Sequence, residues 1–189
     1  MIDRQDLQQA LATLRRGGII LYPTDTVWGI GCDATNERAV SRIYQLKRRS
    51  DSKAMICLLS DVSQIDRYVS GVPEVAYQLV EVADKPLTVI YDGALTPPLA
   101  PNLPAADGTM ALRITHEEFS AALCRELRKP VVSTSANISG QPTPATFAQI
   151  AQEVIDGVDY VCTSGRTSTP AESSAILKLT QSGCVTVIR

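Results

Sequence analysis

Lys47, Arg48, Arg49 and Lys53 place four cations within seven residues, and the chemistry open to such a cluster is holding a polyanion such as the phosphates of a nucleotide. Basic residues in the last turn of a helix also complement its dipole, for roughly 0.3–1 kcal/mol and without any ligand, so the run alone admits both readings. Three further stretches carry polar chemistry. Ser133, Thr134, Ser135, Asn137 and Ser139 lead to Gly140. At the carboxyl end of a strand they offer directional donors and acceptors to a phosphate or ribose, and they equally suit a Ser/Thr/Asn turn. In residues 23–31, Thr24 and Thr26 flank Asp25, while Gly29 and Gly31 let the backbone turn or approach a ligand closely. A hydroxyl-rich turn and a small-molecule pocket both fit. Arg113 stands inside the apolar run 109–115, a costly place for a guanidinium unless it faces a carboxylate, a phosphate or water.

The elements that must position these residues follow from periodicity. Leu7, Ala10, Leu11 and Leu14 mark a helix over 6–16 that stops at Gly17 and Gly18. Ile19 to Tyr22 form a β-favouring run ending at Pro23, the pattern of a strand buried on both faces. Val40, Ile43, Tyr44 and Leu46 predict a second helix, with 47–53 as its last turn and exit loop, an exposed stretch of cations. Strands are expected at 54–59, 86–91, 109–115, from 131 onward, and at 158–162, 174–179 and 185–188. Helices are expected at 62–68, 73–82, 117–127 and 147–154. The four prolines in 94–107 predict a loop, and 165–170 reads as a mobile polar loop.

Composition narrows the function classes. A chain of 189 residues with 44% hydrophobic content can bury one sizeable core. A pI near 5.4 and net charge of −2 argue against a non-specific nucleic-acid coat. The five cysteines are odd in number, scattered and without a CxxC pair, so reduced, buried thiols are expected. With His116 the only histidine, a zinc site is not expected. The amino terminus lacks an apolar leader and no apolar run reaches membrane-spanning length, so a soluble, cytoplasmic protein is expected.

Taken together, residues 22–31, Lys47-Arg48-Arg49 with Lys53, Pro86-Leu87-Thr88 and residues 133–140 resemble the YrdC-like threonylcarbamoyl-AMP synthases in order and spacing across nearly the whole chain. The family pattern KxR…SxN is met by Lys47, Arg49, Ser135 and Asn137. The resemblance implies an α/β fold: a twisted, open, mixed sheet flanked by helices, with a positively charged concave face, carried on a single domain over 1–189. The implied reaction makes threonylcarbamoyl-AMP and pyrophosphate from L-threonine, bicarbonate and ATP. Its product serves adenosine 37 of tRNAs that read codons beginning with A, through a downstream tRNA threonylcarbamoyl transferase. Carried over by position, Lys47, Arg49, Ser135 and Asn137 would be catalytic. Arg49, Lys53, Thr109, Ser135, Thr143 and Arg189 would meet ATP, and Thr26, Arg113, Ser133 and Ser174 would meet threonine. Mg²⁺ is expected with the nucleotide, and no protein metal site.

The sequence departs from the family pattern at Ser50, Ala54, Lys85, Thr115 and Ala175, and Leu58 stands where some longer members have a histidine. The additional C-terminal domain of longer members is expected to be absent. No Ser-His or Cys-His pairing is visible, which suits a reaction run by positioning and charge neutralisation. Two rival readings share these residues. One is a module binding double-stranded RNA or tRNA through the basic concavity; the other is a related carbamoyl-adenylate-forming enzyme with a different acyl source.

Overall fold

Asp3 decides where the chain first becomes helical: its carboxylate accepts from the backbone N–H groups of Gln5 and Asp6, and α1 (Arg4–Arg15) starts two residues earlier than its apolar face suggests. The computed structural model describes residues 2–49, 55–167 and 173–189. Lys53, Ser50, Ala54 and the part of the polar loop beyond 167 therefore lie outside the described residues.

The elements after α1 follow in the order β1 (Ile20–Tyr22), β2 (Gly29–Gly31), α2 (Glu37–Lys47) and β3 (Ile56–Leu59). A 3-10 helix (Val62–Arg67) and α3 (Glu74–Glu81) lead to β4 (Leu87–Tyr91), β5 (Met110–Ile114), α4 (Glu118–Leu127) and β6 (Val131–Ser135). A second 3-10 turn (Phe147–Gln149), α5 (Gln152–Asp156), β7 (Tyr160–Val161), β8 (Ala175–Leu179) and β9 (Val185–Val187) complete the chain. Among the described residues the strands form one mixed sheet in the order β7-β1-β2-β6-β3-β5-β4-β8-β9. The expected open α/β architecture is present. Two expectations of secondary structure change. The helix expected over 147–154 is two short pieces, broken at Ile150 and Ala151, which adopt extended backbone. Residues 29–31, expected as a turn or pocket, are a strand paired with both β1 and β6.

Gly29 and Gly31 are glycines for a reason of space rather than of dihedral angle. A Cβ on Gly31 would stand 2.4 Å from the Val132 carbonyl oxygen and 2.5 Å from the Tyr22 ring, and one on Gly29 would meet Ser133 Oγ at 3.2 Å. Tyr22, wholly buried, uses that space and donates its hydroxyl to Val132 O at 3.0 Å.

Alternation along the strands separates the two faces of the sheet. Cys57, Leu59, Leu112, Ile114, Val132 and Val89 are core residues; α1 and α4 pack on each other and on β1, β3 and β7. The alternate positions are cross-strand partners of one another: Thr88 with Arg113, Ile56 with Ala111 and with Ser133, Thr88 with Ile176, and Gly29 with Ser135. These open onto the cavity. Four cysteines, Cys32, Cys57, Cys124 and Cys162, are buried as expected, but Cys184 is exposed, because it sits in the β8–β9 turn at the sheet edge. Among the described residues no helix is long and apolar enough to cross a membrane.

Candidate active site

The alternate strand positions, the β1–β2 turn and the carboxyl end of the chain enclose a cavity of about 610 Å³, the volume of a small-molecule site. Nine of the residues implied by the resemblance line it: Thr26, Arg49, Thr109, Arg113, Ser133, Ser135, Thr143, Ser174 and Arg189. They come from six parts of the chain.

Each is placed by local structure. Arg48 takes a left-handed conformation (φ 50°) as the α2 cap, which ends the helix and frees Arg49 from its phase. Arg48 itself turns outward to Glu153, with more than half of its side chain exposed. Thr109 donates to the Asp107 carboxylate through both its N–H (3.1 Å) and its Oγ1 (2.7 Å), a turn that delivers it to the start of β5. Ser174 and Thr88, on neighbouring strands and both buried, share a hydrogen bond of 3.0 Å. Arg189 donates from Nε and an Nη to Ser174 O at 3.3 and 3.2 Å. Trp28, on the cavity wall, packs at 4.9 Å against Phe147, and the Arg166 guanidinium lies over the Phe147 ring at 4.5 Å. That guanidinium also donates to Cys162 O at 3.0 Å, so the part of the polar loop within the described residues is tied down.

Two residues of the KxR…SxN pattern lie behind the wall. Lys47 is expected to be exposed and is instead 2% exposed. Its ammonium donates to Ser135 O at 2.5 Å and Asn137 O at 2.6 Å. The reason is helix phase: Lys47 continues the buried stripe of Val40, Ile43 and Tyr44. Burial, then the nearby charge of Arg49, push its pKa down to about 8, while the two carbonyls favour the charged form. Asn137 spends its amide on Ile138 O (3.1 Å) and Gln141 O (2.8 Å), closing the turn after β6. Lys47 and Asn137 thus hold the backbone that carries Ser135 to the cavity.

Asp25 and Thr88 were given no role by the sequence. Arg113 Nη2 stands 2.9 Å from Asp25 Oδ1, with side-chain exposures of 3% and 10%. Burial is the larger influence on each, raising the Asp25 pKa and lowering that of Arg113, with their mutual attraction opposing it. The signal for Asp25 was a carboxylate between two threonines, answering a guanidinium that needed a counter-charge. Thr88 was within reach through the alternation of β4.

The family model described as Telomere recombination, Sua5/YciO/YrdC, matches residues 12–189. The chain belongs to the Sua5/YciO/YrdC family. Among its relatives, a threonylcarbamoyl-AMP synthase from Idiomarina loihiensis is 35% identical over 159 residues, 82% of this chain and 84% of that protein. One from Xanthomonas euvesicatoria is 34% identical over 177 residues, covering 93% and 94%. The crystal structure of P. abyssi Sua5 complexed with L-threonine superposes with a TM-score of 0.86 at 26% identity, over 95% of this chain and 52% of that one; the chain spans about half of Sua5. E. coli YciO gives 0.84 at 25% identity, over 100% and 90%.

Proposed function

We propose that this chain is an L-threonylcarbamoyladenylate synthase, a nucleotidyltransferase that joins L-threonine, bicarbonate and ATP and releases pyrophosphate. The observation that carries the reading is the convergence of Arg49, Thr109, Ser135, Thr143 and Arg189 with Thr26, Arg113, Ser133 and Ser174 around one cavity. Relatives named threonylcarbamoyl-AMP synthase, and the likeness to a Sua5 that holds L-threonine, support it.

In this reading bicarbonate loses its hydroxyl to give CO₂, the free amine of threonine attacks that carbon to give N-carboxy-threonine, and the proton the amine loses leaves with the hydroxyl as water. A carbamate oxygen then attacks the α-phosphorus of ATP, and the bond from that phosphorus to the bridging oxygen breaks as pyrophosphate leaves. The residues assemble and neutralise the reactants, and none acts as a nucleophile. Arg113 takes the amino-acid carboxylate, with Thr26, Ser133 and Ser174 around the rest of the amino acid. Arg49 and Arg189 take phosphate charge, with Lys53 proposed from the resemblance alone. Lys47 and Asn137 act through the Ser135 backbone. Mg²⁺ would arrive with ATP and offset the charge of its phosphates; among the described residues no group of three or more His, Cys, Asp or Glu could hold a metal.

We place the protein in the cytoplasm as one domain, passing its product to a tRNA threonylcarbamoyl transferase, with direct tRNA contact left to the test. Pyrophosphate release should require all three substrates together. Release without threonine would favour another carbamoyl-adenylate, and RNA binding that weakens steeply with salt, with no turnover, would favour the RNA-binding reading.

A further inference from the structure

Three of the buried polar atoms that lack a hydrogen-bond partner belong to one pair: Asp25 Oδ1, Asp25 Oδ2 and Arg113 Nε. Beyond the 2.9 Å ion pair between Arg113 Nη2 and Asp25 Oδ1, the pair has among the described residues a long hydrogen bond of 3.4 Å from Nη1 to Thr26 Oγ1 and a local contact of the Asp25 carboxylate with its own backbone N–H. Buried polar groups normally find partners, and the open Nε of Arg113, on the cavity wall, marks a place where a ligand completes the bonding, while the open oxygens of Asp25 leave an anion with little local compensation beyond Arg113. Arg113 and Thr26 line the cavity, whereas Asp25 stands behind them. Asp25 acts through Arg113 and through its charge.

We infer that Asp25 makes the Arg113 site select zwitterions, so that it takes α-amino acids and turns away the same carbon skeleton bearing a carboxylate alone. The inference rests on the reading of this cavity as a threonine site. Charges exposed to only 3% and 10% are poorly screened, so the sum of charges at the site decides what can enter. With Arg49 and Arg189, on the same cavity, assigned to the phosphates, the empty pair of Asp25 and Arg113 sums to zero. A carboxylic acid without an amine leaves one uncompensated negative charge, an amino-acid ester leaves one positive charge, and a zwitterion leaves none. As the ligand's carboxylate draws on Arg113, its ammonium compensates Asp25. The direction of the Asp25 pKa agrees: burial raises it despite Arg113 beside it, so the anion gains from a further cation nearby.

The test is calorimetric binding of L-threonine and of 3-hydroxybutanoate, which keeps the carboxylate and hydroxyl but lacks the amine. Wild-type protein should bind threonine at least about tenfold more tightly, and Asp25→Asn should shrink that ratio by about tenfold or more, because close charge pairs couple by at least about that factor. In the variant 3-hydroxybutanoate tightens while threonine weakens, a crossing that a merely structural loss cannot produce. Cooperative melting certifies the variant. Where Asp25→Asn does not fold, Asp25→Ser is read in the same way. Threonine binding with an unchanged ratio overturns the inference alone. Wild-type protein that binds 3-hydroxybutanoate as tightly as threonine also overturns it, and wild-type protein that binds no threonine removes the reading on which it rests.

Discussion

Lys47→Met separates a cation that touches substrate from one that holds the wall. Methionine keeps most of the apolar stem and removes the ammonium, so the carbonyls of Ser135 and Asn137 lose donors at 2.5 and 2.6 Å. Asn137 O is left without a partner, at about 1–3 kcal/mol, whereas Ser135 O keeps the Asn137 N–H at 2.9 Å and loses only its second, charge-assisted bond. The variant is relieved of burying a charge, a penalty visible in the depression of the Lys47 pKa to about 8. A net loss of about 2 kcal/mol remains, which at this chain length lowers Tm by about 4–8 °C. Thermal melting at pH 7 reads it, beside Arg48→Ala, whose exposed ion pair with Glu153, at about 0.5 kcal/mol, should be worth about 1–2 °C. The pH dependence supplies a second arm. Between about 8 and 10.5 the unfolded chain holds a proton that folded Lys47 has given up, so stability gained through this group rises with pH across that window and its cost is complete below it. Lys47→Met abolishes that rise, and the gap between wild type and variant should widen from pH 8 toward pH 10. A variant that melts with wild type at pH 7 and shows no divergence above pH 8 would refute the burial argument.

Gly31→Ala should destabilise by more than about 2 kcal/mol in chemical denaturation, because the added Cβ meets a backbone carbonyl at 2.4 Å and cannot push it aside; wild-type stability would refute the close packing of β2 against Tyr22. The Asp159 carboxylate takes two hydrogen bonds from Arg42, at 2.7 and 2.9 Å, and one from the Ile19 N–H at 2.7 Å. The Arg42 contact, foremost, holds its pKa below 3.8, so its stabilisation is present above 3.8 and lost as pH falls through the folded value; Asp159→Asn should lower Tm more at pH 7 than at pH 3. Iodoacetamide on the native protein should modify Cys184 first and leave pyrophosphate release intact, since burial pushes the other four thiols upward, Cys124 to about 12; rapid inactivation through one of those four would contradict this. In pyrophosphate release, valine should lose a factor on the order of 10⁴ against threonine and serine about 10- to 200-fold. Ser174→Ala should narrow the valine gap, while Arg113→Lys should weaken all three amino acids alike, and a changed threonine-to-valine ratio in Arg113→Lys would unseat its carboxylate role.

Most of the fold was legible because its strands and helices announce themselves through burial. Ile19 to Tyr22 and residues 54–59 read as buried strands, and within them β1 (Ile20–Tyr22) and β3 (Ile56–Leu59) form, while β5 contains Arg113 as expected. What escaped depends on partners distant in the chain. Gly29 and Gly31 look like turn residues until the Tyr22 ring is set beside them, and nothing local foretells that ring's position. The break at Ile150 and Ala151 is likewise invisible to periodicity, since Phe147, Ile150 and Val154 keep helical spacing through it. Asp25 was noticed as a carboxylate, and Arg113 as a guanidinium in need of one, but the match between residues 88 apart in the chain needed the pairing of β1, β2, β6, β3 and β5 to bring them together.

The pattern KxR…SxN names four residues without dividing contact from support, and the two periods of the backbone make that division. Along a strand the period of two keeps Ser133 and Ser135 on one face, as it does Ala111 with Arg113, so alternate residues share the cavity. Along a helix the period of 3.6 carries the stripe of Val40, Ile43 and Tyr44 onto Lys47, so the first cation of the motif belongs to the buried face. That stripe was in the sequence. Arg49 escapes it because the helix ends one residue after Lys47, at a left-handed Arg48. A two-residue spacing that looks like a pair of equivalent phosphate ligands is therefore one wall-holding ammonium and one cavity-lining guanidinium, divided by where α2 stops. Lengthening α2 by a turn would return Arg49 to helical phase, about 200° around the axis from Lys47 by the 3.6-residue period, and direct it by that phase rather than by the Arg48 turn that now delivers it to the cavity.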